Sequence, residues 1–501
     1  MRQNWTWALV LAALAAGLIR VERAAAQCEL SKHQALDAAT GDDFGGAVAI
    51  DGDVIVIGAP EDDDAGSSSG AAYVFRFDGT GWAQEQKLTA FDAESGDDYG
   101  ISVAVSGDTI IVGANRDDLP GMSRAGSAYV YRFVAGSWQD EHHLTAQDAA
   151  ADDRFGSSVA IDGDTLVVGA THDDDGLSNA GAGYVFTRSG TVWTQQDKLT
   201  AEMPMGTNPH VGRSASIDGD VVVLGAWQDA PAGQFTVGAA YVFRRDGAIW
   251  PQEQKLTASD AADFSQFGQA VSISDPVIAV GAPREHAEGP SDSGAAYFYR
   301  WNGVSWDEED KVKATDAQAN DRFGWSISLA GESAVIGTDT SSSKAYLFAF
   351  VRSEWSEQAM LISADADVSS EYAYSVGLAG GTAVIGDRNG AAGTGLAFIF
   401  QSAGPDCNDN GFCDSRDIAE GDSLDDNGNG IPDECEGPIC GDCPTDVDGS
   451  GNTGAFDLAV LLGSWGPCAP GDACACLDDN GDGVIGAFDL AVLLGSWGPC
   501  Q

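Results

Sequence analysis

The sequence predicts an all-β propeller of seven four-stranded blades, followed by a small disulfide-rich α module. Three observations carry this. A unit of about 56 residues recurs along the chain. Short apolar runs within it are separated by Asp-Gly turns, a strong hairpin signal. Cysteine is absent from residues 29–406, while nine crowd into the last 95 residues.

The chain opens on an export pattern over residues 1–26. Arg2 supplies positive charge, Trp5 to Ile19 form an apolar run, and Ala24-Ala25-Ala26 offers a small-residue cleavage site before Gln27. That run is short for a membrane span, and no later segment is apolar enough for one. A secreted or cell-surface protein is expected, and the cysteine cluster agrees with an oxidising compartment.

The repeat begins at Phe44-Gly45 and returns at Tyr99-Gly100, Phe155-Gly156, Val211-Gly212, Phe267-Gly268, Phe323-Gly324 and Tyr372-Ala373. Fourteen positions after each opening stands a glycine: Gly58, Gly113, Gly169, Gly225, Gly281, Gly337 and Gly386. In the first unit AVAI, VIVIGA, AAYVFRF and WAQEQKLTA read as four strands, with turns at Asp51-Gly52 and Asp78-Gly79. Trp82, Trp138, Trp193, Trp250, Trp306 and Trp355 open the fourth strand and are expected to pack between blades. Repeated four-stranded units of this kind form a propeller. The seventh unit lacks a fourth strand, but residues 31–45 align with 86–100, so the N-terminal strand completes it. The propeller is expected over 27–402.

These Phe-Gly openings, with Gly58-Ala59-Pro60 and Gly281-Ala282-Pro283, resemble the FG-GAP repeats of integrin-α-type propellers. The resemblance implies a binding or adhesion surface. Calcium-binding blades of that type carry Asp-x-Asp-x-Asp-Gly before the Gly-Ala-Pro strand. Here only Asp51-Gly52-Asp53, Ser106-Gly107-Asp108 or Asp162-Gly163-Asp164 stands there, too short to wrap an ion. A second acidic series, Asp62-Asp63-Asp64 and Asp173-Asp174-Asp175, is open to two readings, weak calcium sites or solvated loops.

Calcium takes several oxygen ligands, which an EF-hand loop supplies at positions 1, 3, 5, 7 and 12, with water often at 9. Two loops in 440–501 fit. One offers Asp446, Asp448, Ser450, the Asn452 carbonyl and Asp457; the other Asp478, Asn480, Asp482, the Val484 carbonyl and Asp489. Each leads into FDLAVLLGSWGPC, and the whole is duplicated at 32 residues. This module resembles a dockerin, which implies calcium-dependent folding and docking to a cohesin-like protein. The apolar helices Leu458–Leu462 and Leu490–Leu494 are expected to pack on each other, with staples suggested at Cys443–Cys468 and Cys476–Cys500.

Residues 403–439 hold two closer loops, resembling thrombospondin type 3 calcium repeats. Their ligands would be Asp406, Asn408, Asn410, the Phe412 carbonyl, Asp414 and Asp417, then Asp425, Asn427, Asn429, the Ile431 carbonyl, Asp433 and Glu436. From residue 406 onward there are twenty acids and one base, Arg416. Strand order would place Cys28 beside the end of blade seven, so a Cys28–Cys407 disulfide is expected.

Net charge is −52, from 77 acids and 25 bases, which disfavours nucleic acid and anionic membrane as partners. No enzyme is expected. The histidines (33, 142, 143, 172, 210, 286) show no metal spacing, and Gly66-Ser67-Ser68-Ser69-Gly70 matches G-x-S-x-G without a strand-to-helix elbow. Three functions stay open: an adhesion scaffold, a dockerin-borne part of a polysaccharide-degrading assembly, and a structural surface-layer component.

Overall fold

The computed structural model describes residues 28–401, except 175–176, 203–207, 232, 288, 340–343 and 364–370. In the tail it describes 452–453, 458, 461–462, 466–467, 484–485, 490, 492–494 and 498–499. The export segment 1–26, the loop pair in 403–439 and the cysteine staples lie outside the described residues. None of the described helices is long and apolar enough to cross a membrane.

Seven four-stranded antiparallel sheets form the propeller. In blade one, β2 (Ala47–Asp51), β3 (Val54–Ala59), β4 (Ala71–Phe77) and β5 (Trp82–Leu88) run in sequence order from the axis outward. β3 is buried throughout, because neighbouring blades cover both of its faces; hence VIVIGA is continuously apolar rather than alternating. β5 is polar and half-exposed, as suits an outer edge.

The ring closes through β1 (Cys28–His33), which pairs antiparallel with Leu396–Gln401, Cys28 lying opposite Gln401. The same packing that joins other blades also joins blade one to blade seven. Ile55, Ile57 and Tyr73 share a core with Val384, Ala397 and Ile399.

The constant glycine has a steric cause. A Cβ on Gly58 would overlap the Gly100 carbonyl oxygen of the next blade, and Gly113 stands in the same relation to Gly156. The series ends with Gly386 against the Gly45 carbonyl, so it runs around the whole ring. The opening aromatic packs edge-to-face on a third-strand ring, as in Phe44–Tyr73 at 5.4 Å and Phe267–Tyr297 at 5.4 Å.

The tryptophans pack between blades. Trp138, Trp193, Trp306 and Trp355 are buried. Their indole N–H groups donate to Glu85, Glu141, Glu253 and Glu309 of the preceding blade, at 2.9, 2.9, 2.9 and 3.2 Å.

Candidate binding face

On the face that carries the Asp-Gly turns, the acids are committed to structure. Asp51, Asp162 and Asp218 accept backbone N–H groups of Gly107, Gly219 and Asp275 in the next blade, at 2.7, 2.8 and 2.8 Å. Asp53, Asp108 and Asp164 pair with Arg76, Arg132 and Arg188 at 3.0, 2.7 and 2.6 Å.

On the opposite face the second acidic series divides: Asp63, Asp64 and Asp174 are exposed, as solvated loops are, while its first members are not. Asp62 and Asp173 are buried, so neither a solvated loop nor an open calcium site describes them. Asp62 accepts from Tyr73 at 2.8 Å and pairs with Lys87 at 2.9 Å; Asp173 accepts from Tyr184 at 2.5 Å and pairs with Lys198 at 2.8 Å. Lys87 also reaches Asp37, in the preceding interblade loop, at 2.8 Å. Burial alone would lower the Lys87 ammonium, but hydrogen bonds to Asp37, Asp64 and Asp62 outweigh it and leave its pKa raised. Lys255–Asp229 at 2.7 Å and Lys311–Glu285 at 3.2 Å repeat the device. The recurring lysine of the fourth strand was the available sequence signal.

The G-x-S-x-G string lies between β3 and β4. Ser69 is buried with its hydroxyl on the Asp62 carbonyl at 3.2 Å, and Ser68 donates to Glu61 at 2.5 Å. Among the described residues no three His, Cys, Asp or Glu side chains group to hold a metal ion.

The first strands line an open axial cavity of about 230 Å³, from Gly46 round to Val376. Its wall is tied between blades: Ser102, Ser158 and Ser375 donate to the carbonyls of Gly156, Gly212 and Gly45, each at 2.8 Å.

On the face opposite the Asp-Gly turns, two rim positions recur at each blade junction. One precedes the opening aromatic and adopts a left-handed conformation in six blades: Asp43, Asp98, Arg154, His210, Gln266 and Arg322, with φ from 53° to 58°. That conformation is uncommon outside glycine. Here a backbone bond helps to hold it; the N–H of Arg154, His210, Gln266 and Arg322 donates to Arg124, Asn179, Thr236 and Asp292 of the preceding blade. The other residue follows the second strand, as Glu61, Arg116, His172, Gln228 and Arg284 do.

The backbone is thus fixed while the side chains differ. Glu61 faces Asp98 across the first junction, and burial pushes Asp98 up to about 6, with Glu61 adding to it and Arg116, at 3.0 Å, opposing. Arg116 and Arg154 share the second junction. At the third, His172 and His210 approach to 4.8 Å between ring centroids, and Trp227 stacks beyond at 6.2 Å. Burial, then Arg154 and His210, push His172 down to about 4. Arg388 meets Asp43 at 3.9 Å where the ring closes. The sequence reading found no grouping of histidines, because residues 172 and 210 meet only through blade packing.

In the tail, Asp446, Asp448, Ser450, Asp457, Asp478, Asn480, Asp482 and Asp489 lie outside the described residues. Asn452 and Val484 are described as strand residues. Asn452–Thr453 pairs with Gly498–Pro499, and Val484–Ile485 pairs with Gly466–Pro467. Each loop strand therefore pairs with the Gly-Pro that follows the other half's helix. Leu461 and Leu493, also 32 apart, are both fully buried.

The FG-GAP repeat family matches six stretches of the chain: residues 29–75, 82–131, 138–186, 193–243, 250–299 and 306–348. Each stretch joins one outer strand to the first three strands of the following blade. No curated protein matches the chain. The matched stretches cover more than half of the sequence, and the chain belongs to the FG-GAP repeat family.

Proposed function

We propose that the chain is an exported calcium-binding adhesion scaffold, in which the propeller offers a binding face and the tail docks a second protein in a calcium-dependent way. The observation that supports it is the pair of rim positions at each blade junction. Each junction holds the same backbone, yet carries acids, arginines, histidines or glutamines in turn. Surfaces that vary on a rigid frame are where binding specificity resides. On this reading calcium sits in the loops of Asp446–Asp457 and Asp478–Asp489, and in the loop pair of 403–439, and the docking partner is cohesin-like.

Purified full-length protein should capture a component of the source cell's envelope only with calcium present, and hydrolyse no common glycan. Robust turnover that survives removal of residues 403–501 would place an active site in the propeller and sink the scaffold reading.

A second reading makes the chain a dockerin-borne member of a polysaccharide-degrading assembly. The reciprocal pairing of the two tail halves favours it, because it ties together the two copies of a duplicated sequence. A glycan hydrolase recovered in the calcium-dependent pulldown would select this reading.

A further inference from the structure

In a chain with a threefold excess of acids, a cation without a carboxylate is an anomaly. On the turn face, Arg76, Arg132, Arg188, Arg244, Arg245 and Arg300 are all paired. Among the described residues Arg154, Arg213 and Arg284 have no carboxylate within 4.0 Å. These three lie on the opposite face, in successive blades three, four and five, and Arg213 lines the cavity.

Their surroundings reinforce the charge. The rim positions of these blades are Arg154, His172, His210, Gln228, Gln266 and Arg284, with no carboxylate among them. The Arg154 Nε is sealed from water and has no acceptor. Burial, then Arg116 and Arg124, depress the Arg154 pKa, although Asp152 and Asp98 oppose this. Those two acids already serve Arg124 at 2.5 Å and Arg116 at 3.0 Å. Guanidinium stays charged at any ordinary pH, so among the described residues these three charges stand without an ion-pair partner, a local exception to the chain's net −52.

We propose that the arc of blades three to five binds an acidic polysaccharide through its sulfate or uronate groups, with Arg154, Arg213 and Arg284 as the cationic contacts. Planar guanidinium donors match carboxylate and sulfate oxygens in pairs. The half-exposed Trp227 and Gln228 supply a ring face and an amide suited to a hydroxyl-rich chain. Three cations spread over three blades suit a polymer with repeated charges better than a single small anion. This rests on the propeller being a binding face, and names what it binds.

The test uses the full-length, calcium-loaded protein with dextran sulfate, polygalacturonate, neutral dextran and poly-glutamate as probes. At least one acidic polysaccharide should bind, more weakly as salt rises, with neutral dextran at least tenfold weaker. The triple variant Arg154→Gln/Arg213→Gln/Arg284→Gln should lose binding at least tenfold, while Arg245→Gln on the turn face keeps it. If the triple variant misfolds, Arg213→Gln and Arg284→Gln alone should each weaken binding severalfold. Bound polysaccharide should also raise the His172 pKa, read by NMR. No binding of either acidic polymer, equal binding of neutral dextran, tighter binding of poly-glutamate, or binding unaffected by the arc substitutions would each overturn the proposal. Envelope material captured with calcium by a protein that binds neither acidic polymer would leave the scaffold standing and the arc refuted.

Discussion

Asp62 in blade one and Asp446 in the tail stand in similar surroundings of sequence, each in a run of acids and small residues. Their circumstances differ because of what lies downstream. Asp62 is followed by a strand that brings Lys87 back to 2.9 Å, so its charge is met inside the fold. The tail from residue 406 has twenty acids and only Arg416 to meet them. Acid density therefore does not identify a cation site. The deciding feature is whether a base recurs at a spacing that the fold returns to each acid. The propeller has that base in four blades, as Lys87, Lys198, Lys255 and Lys311.

The largest expected effect separates these two regions. Chelating calcium from the full-length protein should abolish the tail's helical signal if, as proposed, metal binding and folding are coupled there. The fluorescence melting transition of the buried propeller tryptophans should stay in place. Titration calorimetry should lose about one site for Asp446→Ala and one for Asp478→Ala. A propeller transition that moves with calcium would show that its acids also hold metal, and the division would fail.

The next effect concerns where the regions join. Cys28 lies opposite Gln401 at the closing strand pair, and Cys407 lies outside the described residues. Six further residues reach it easily at about 3.3–3.6 Å each. Non-reducing peptide mapping should recover a Cys28–Cys407 bridge, worth about 4–5 kcal/mol in the chain-entropy treatment of long loops. Free Cys28, or Cys28 joined to Cys413, would contradict it.

Lys87→Met should then destabilise the propeller by about 2 kcal/mol, since it leaves the buried Asp62 with only the neutral Tyr73 hydroxyl and Asp64 N–H as donors; Lys87 is partly exposed, which tempers the loss. Arg245→Gln, an exposed pair at 3.6 Å, should cost under about 0.5 kcal/mol. Equal losses in a thermal melt would show that the buried network has no special weight.

The smallest effect is a pH dependence of the opposite sign to ordinary acid denaturation. Burial pushes Asp97, Asp98 and Asp153 up to about 6, above the unfolded value near 4. Between those values the native state binds more protons than the unfolded one, so stability rises as pH falls from 7 towards 5. Asp37, Asp148 and Asp260 are held below the ordinary value by Lys87, Lys198 and Lys311 against the pull of burial. Their contribution is lost only as pH falls below about 4. A propeller melting temperature that falls steadily from pH 7 to pH 5 would refute the assignment.

Much of this ring was legible because its causes repeat. A glycine under a neighbour's carbonyl, an aromatic over a tyrosine and a tryptophan on the preceding blade each recur at one period, and the alignment of 31–45 with 86–100 exposed the closure. The rim was not legible. His172 and His210 stand 38 residues apart and meet only once blades three and four are packed. Arg154 is one of many arginines in sequence, and only the geometry shows that its neighbouring carboxylates are already engaged. Asp62 was misjudged because its partner is a strand and a half away.

The interlocking of Gly58 with the Gly100 carbonyl, repeated around to Gly386 with Gly45, has a consequence for how such a chain can change over time. Every joint sets a glycine under a neighbour's carbonyl, the sixth under that of Ala373 rather than of a glycine, so the seam leaves little room for gradual alteration of blade geometry. Descent with modification is steered instead to the junction side chains, which touch no glycine seam and can be exchanged one at a time. A lineage could therefore trade one recognition pattern for another without passing through an ancestor that fails to close its ring.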